Sequence, residues 1–232
     1  LSPRLSEEQR ALVDAILETS FPGTPRTWEW LSQGGGRIDR LSVWVGSISS
    51  LKPVRCVRMG RKKIMARVEG IPRASEITTL NKPPPYGAWI SILDPALVQS
   101  GLHETWLEKT LPQDAGSSWL RTEGRRPLLI TTEPLILDEE NEAFVIASGE
   151  IVQHRLSPPE LNTIQLVSEA CERAGIGKVT LRCSLDPEIH PTLQRRLDKS
   201  LKEVEGPRGF MVDLDLDRGN GSHTLYIVCR EA

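Results

Sequence analysis

The most restrictive pattern in the chain lies near its end. Phe210, Val212, Leu214 and Leu216 alternate with Asp213, Asp215 and Asp217 on the other side of a strand. A period of two is the signature of an extended strand with two unlike faces. Gly219-Asn220-Gly221 then reverses the chain into a second apolar run, 223–230, which predicts a hairpin. A hairpin on its own is marginal in water. The tail therefore commits the chain to a larger sheet with an apolar layer packed on it.

The residues before the hairpin supply that layer. Ser157-Pro158-Pro159-Glu160 combines an N-cap, Pro at the first helical position and a capping-box Glu. Leu161, Ile164, Val167 and Cys171 follow along one helical face, and Gly175-Ile176 closes it as a Schellman pair. A short strand with Val179, Leu181 and Cys183 comes next, then a helix with Leu193, Leu197, Leu201 and Val204. With a hairpin about Ser148-Gly149, the order from Ala143 is ββαβαββ: a two-layer α/β sandwich on a mixed sheet.

The first half reads as β-rich with two helices. Ser6 to Gln9 is a capping box ahead of Leu12, Val13, Ile16 and Leu17, which predicts a helix over 7–19. Gly34-Gly35-Gly36 marks a turn, and Leu41, Val43 and Val45 a strand. Residues 54–68 read as a basic hairpin turning near Gly60-Arg61-Lys62. Trp89, Ile90, Ile92 and Leu93 form a further strand, and Asp94-Pro95 opens a second helix reaching about 109. The expected class is α+β, with a β-rich domain over 1–112, a linker or surface loop over 113–127 and an α/β domain over 128–232.

Composition narrows the functional classes. Of 232 residues, 38% are apolar and 26% charged, an ordinary globular balance. The net charge of -2 excludes a histone-like polycation. No apolar run approaches the ~18 residues of a membrane span. Cys56, Cys171, Cys183 and Cys229 are irregularly spaced and contain no C-x-x-C, which argues against a zinc knuckle. They are expected as buried free thiols, which favours an intracellular, reducing compartment, cytoplasm or nucleus.

Charge is unevenly distributed. Residues 52–73 carry eight basic groups and one acid, whereas 127–154 carry six acids and no Lys or Arg. Arg55, Arg58, Arg61, Lys62, Lys63 and Arg67 make the basic hairpin a candidate nucleic-acid contact, because clustered cations bind phosphates. Trp28 and Trp30, beside the glycine run, and the Pro83-Pro84-Pro85-Tyr86 segment are candidate protein-binding features. The latter satisfies P-P-x-Y, a polyproline ligand pattern.

Asp213 and Asp215 sit two apart on one strand face, a spacing able to hold Mg2+ or Mn2+ for phosphoryl or nucleotidyl transfer. With Ser222-His223 on the next strand, this loosely resembles the D-x-D plus S-x-H arrangement of primase-like polymerases. It departs from that pattern in having only six residues between Asp215 and Ser222. The histidines His103, His154, His190 and His223 fall in no catalytic signature. The expected function is a non-catalytic binding or assembly module within a larger complex. It has a protein partner, no cofactor and no catalytic residues, with nucleic acid contacted through the basic hairpin. The alternative is a metal-dependent transfer enzyme built on the D-x-D strand.

Overall fold

The computed structural model describes residues 5–75, 77–122, 124, 126–217 and 222–232; the Gly219-Asn220-Gly221 turn lies outside them. Helix α1 (Glu7–Ser20) opens as its sequence requires: the Gln9 N–H donates to the Ser6 hydroxyl, and the Ser6 N–H donates to the Gln9 side chain. Strands β1 (Arg26–Gly34), β2 (Arg37–Val45), β3 (Val54–Met59) and β4 (Ile64–Gly70) follow. They form a sheet in the order β2-β1-β3-β4, with β1 parallel to β3 and the other pairs antiparallel. The β1–β2 reversal uses Gly34, Gly35 and Gly36 at φ of 90°, 67° and 75°, a left-handed run only glycine adopts at low cost.

The chain continues through β5 (Trp89–Leu93), α2 (Pro95–Gln99), α3 (His103–Thr110), β6 (Ser117–Arg121), β7 (Leu128–Thr131) and α4 (Glu139–Glu142). It ends with β8 (Val145–Leu156), α5 (Ile164–Arg173), β9 (Lys178–Leu181), α6 (His190–Ser200), β10 (Arg208–Asp217) and β11 (Ser222–Glu231). The second sheet runs β6-β7-β5-β8-β11-β10-β9, with only β9 and β10 parallel. The protein is thus α+β, with two mixed sheets.

Several elements differ from expectation for identifiable reasons. Residues 113–127 are not merely a connection, because they supply β6. β5 pairs with β7 and β8, so the break between sheets falls between β4 and β5 rather than near residue 112. The second helix divides at Gly101, whose φ is 72°, into α2 and α3. The helix expected from Ser157 begins only at Ile164, after a turn in which the Glu160 N–H donates to the Pro158 carbonyl. Residues 145–156 form one strand rather than a hairpin. Gly149 is there for a close approach: a Cβ would stand 2.2 Å from the Arg230 carbonyl oxygen.

Three apolar clusters hold the layers. Trp28, Trp30, Leu41 and Cys56 of the first sheet pack with Leu97, Leu102 and Trp106 of α2 and α3 and their surroundings, and with Leu93, Trp119 and Leu129 of the second sheet. Val167, Cys171, Leu193 and Leu197 of α5 and α6 cover Val179, Met211 and Val228. The opposite face of the second sheet buries Ile90, Ile92, Leu128, Phe210, Val212 and Ile227 with no helical residue among its partners. Leu80 of the β4–β5 connection packs on this face, and residues of β6, β7 and β10 share its one cluster, as in a sheet that rolls onto itself. Arg126 closes the roll, its guanidinium donating to the carbonyls of Arg182 at 2.5 Å and Cys183 at 2.9 Å. All four cysteines are free and buried, as the sequence implies.

Helix α1 is attached to this frame mainly through polar contacts. Trp28 Nε1 donates to the Asp14 carboxylate, and Arg26 pairs with Asp14 and Glu18. Leu12 and Ile16, two of the apolar residues that predict this helix, are 63% and 57% exposed.

Candidate functional site

The six basic residues of the β3–β4 hairpin divide into two groups. Arg55 lies opposite Glu29 on β1 and Glu69 on β4, and pairs with both, at 2.7 and 3.7 Å. Such directly opposed cross-strand charges neutralise one another in place. Arg58 donates from Nε to the Ala143 carbonyl and from Nη1 to the Met59 carbonyl, and stands 3.8 Å from Asp94. Arg67 is exposed but approaches Glu69 at 3.5 Å. Arg61, Lys62 and Lys63 occupy the turn, which the Gly60 N–H closes on the Lys63 carbonyl. All three are exposed, and among the described residues no acid pairs with them.

Asp94 explains why Arg58 turns inward. Its Oδ1 accepts from the Ala96 N–H at the start of α2, and its Oδ2 accepts from the Ser32 hydroxyl at 2.6 Å. The carboxyl is buried, and burial raises its pKa against the opposing pull of these bonds and of Arg58. Sequence alone identified Asp94 only as a helix cap.

The protein-binding candidates are placed differently. Trp28 and Trp30 are core residues, not an exposed pair: their rings pack 6.4 Å apart, and Arg10 stands 5.4 Å above the Trp30 ring. The glycine run beside them turns β1 into β2 and leaves the strand itself covered. In the P-P-x-Y segment Pro83 is half-buried and Pro84 buried. Tyr86 is 58% exposed, stacked on His154 at 4.0 Å. The segment therefore presents its tyrosine outward but not both of its prolines.

On β10 the acids part company. Asp215 is exposed and accepts from the Thr224 hydroxyl at 2.7 Å. Asp213 is only 4% exposed, and among the described residues its Oδ1 has no hydrogen-bond partner. It shares the helix-covered face because Met211, two residues earlier, packs there. The side chains of Asp217 and Ser222 lie outside those described. Among the described residues, no three His, Cys, Asp or Glu side chains gather to hold a metal ion.

A further feature involves Cys183, which lies just past β9, the strand next to that of Asp213. A cleft of about 610 Å³ separates the β6–β7 connection from the β9–α6 connection, and Arg121, Arg126, Cys183, Ser184 and His190 line it. Met211 pairs with Leu181, so Asp213 and Cys183, each two residues further on, share a face of adjacent strands. The Arg121 Nε donates to the Arg126 carbonyl, fixing one arginine against the other. Burial lowers the Arg126 pKa; Asp213 pulls it up, while Arg182 and Arg121 push it down. Burial, seconded by Asp213, drives the Cys183 thiol pKa far up. The His190 Nε2 is taken by the Leu181 carbonyl at 3.0 Å. The lining thus brings together two arginines, a serine and a histidine whose Nε2 is held by a backbone carbonyl. Its signal in the sequence was the run Arg121, Arg125 and Arg126, which lies within the expected linker.

Comparison with protein-family models, with curated proteins and with solved structures returned no match for this chain.

Proposed function

We propose that the protein is a non-catalytic binding module that engages nucleic acid through the Arg61-Lys62-Lys63 turn, as part of a larger assembly. One observation carries this. Three adjacent cations stand in water with no acidic partner among the described residues, while the neighbouring Arg55 and Arg58 are neutralised by the fold. Free cations on a protruding turn release counterions from a phosphate backbone without first breaking internal pairs. Arg67, exposed on β4, extends the same patch.

The reading predicts sequence-independent affinity with a strong salt dependence. Contact with about three phosphates gives a log–log slope near -3 on duplex DNA. Fluorescence anisotropy with single- and double-stranded oligonucleotides measures this. Changing Arg61, Lys62 and Lys63 together to Glu is expected to abolish binding. Retention of wild-type affinity in that variant overturns the proposal.

A further inference from the structure

We propose that the arginine cleft and an apolar groove sharing its wall together receive the C-terminal end of a partner protein, with the terminal carboxylate against Arg121 and Arg126 and an apolar last side chain in the groove. The inference names a protein-binding surface and does not depend on the 61–63 turn. Three observations carry it.

The first is adjacency. A second depression, of about 440 Å³, lies between the turn before α5 and the β9–α6 connection. Ser184 and Leu185 line both it and the 610 Å³ cleft, so the two abut along one wall. The second is uncovered apolar surface. Leu161 and Ile189 line the groove together with the buried Leu193, yet they are 48% and 39% exposed. Large apolar side chains gathered about a depression, as opposed to scattered singly, mark a docking surface.

The third is the placement of charge. Among the described residues no acid lines the cleft. There Arg121 donates to protein acceptors only through Nε, and Arg126 only through Nη1. The remaining N–H groups offer the planar fork that a carboxylate fits. The acids Glu160 and Asp186 line the apolar groove instead. A ligand that complements both parts has one anion at the arginines, an apolar group beside it and no acid further along. A chain terminus has that form, because its carboxylate and last side chain belong to one residue, and terminal carboxylates are a recurrent recognition element. An acidic segment would set its further carboxylates against Glu160 and Asp186.

The test uses the intact chain, with calorimetry and amide chemical-shift mapping, and the hexapeptide Gly-Ser-Lys-Ala-Ser-Leu as probe. The comparison probes are its C-terminal amide, the peptide ending in Gly, the peptide with Glu in place of Lys, and decanoate. The free acid is expected to bind at least tenfold more tightly than the amide, the Gly-ending peptide or decanoate, and to shift Leu161, Ser184, Leu185 and Ile189. The Glu-containing peptide is expected to bind severalfold more weakly than the parent. Arg121→Gln is expected to remove the preference for acid over amide, and Leu161→Ser the preference for Leu over Gly. No binding of the free acid, equal affinity for any comparison probe, or shifts confined to 60–64 each overturns the proposal. The probe comparison uses the unaltered chain, so it decides even if a variant misfolds. Changing Arg61, Lys62 and Lys63 to Glu is expected to leave peptide affinity unchanged while abolishing nucleic-acid binding, so the two readings fail separately.

Discussion

The molecule has two arginine-rich regions that treat charge in opposite ways. At the β3–β4 hairpin, ion pairs to Glu29, Glu69 and Asp94 make Arg55 and Arg58 structural members, while the turn and Arg67, which approaches Glu69, face water. At the cleft, Arg126 is half-buried and serves as the fastener of the rolled sheet, yet among the described residues it and Arg121 have N–H groups with no protein acceptor. The hairpin has more positive residues in sequence, but only some of them remain available. Charge density along a chain is therefore a poor guide to charge offered to a ligand. What decides is whether the register of neighbouring strands brings an acid opposite.

The comparison can be broken most forcefully at Asp94. Its replacement by Ala removes the cap of α2 and the acceptor for Ser32, and leaves Arg58 partly buried without its carboxylate. A loss of about 3–5 kcal/mol in urea-monitored stability is expected for breaking a buried ion pair in this way. A loss under ~1 kcal/mol would show that Arg58 is not held inward by charge.

The cleft has a corresponding weak point. Arg126→Ala deletes two charge-assisted bonds to the end of β9. The expected cost is about 2–3 kcal/mol, together with faster amide exchange in β9. Unchanged protection of β9 would mean that the roll is closed by apolar packing alone.

A smaller effect separates buried histidine from surface charge. His103 is buried edge-on against Trp119, and burial lowers its pKa below 6.5, against the pull of Glu104. A depressed folded-state pKa contributes stability that is present above pH 6.5 and is lost as pH falls through the folded value. Unfolding measured between pH 7 and about 4.5 is expected to show a shallower acid-side decline in His103→Phe than in the wild type. An identical slope would assign that decline to other groups.

The smallest effect is expected at the turn. Reversing Arg61, Lys62 and Lys63 to Glu touches no internal pair, so stability should change by no more than about 0.5 kcal/mol, as measured by thermal melting. A large loss would place these side chains in the structural group with Arg55 and Arg58.

Much of the fold was legible locally. The alternation over 210–217 became β10 paired with β11, and the Ser6–Gln9 capping box opened α1. Gly175 ended α5 at φ 69°, with the Ile176 N–H returned to the Cys171 carbonyl. Local signals failed where one residue type serves two purposes. Gly149 signalled a turn but permits a close strand approach, and the Gly- and Ser-containing segment 113–127 signalled a linker but contains β6. Of the candidate site, the exposed turn at 61–63 was visible as a charge run, whereas the cleft was not.

The sequence by itself determined the α+β class, the caps of α1 and α2, the burial of the four thiols and the two-faced last hairpin, because each depends on periodicity or on groups within a few residues of one another. Only the tertiary structure decided which arginines are neutralised, that Asp213 is enclosed while Asp215 is wet, and that the edges of the second sheet meet at Arg126. Those outcomes depend on strands far apart in the chain coming into register. Electrostatic and desolvation energies act over a few ångströms of space, whatever the separation in sequence.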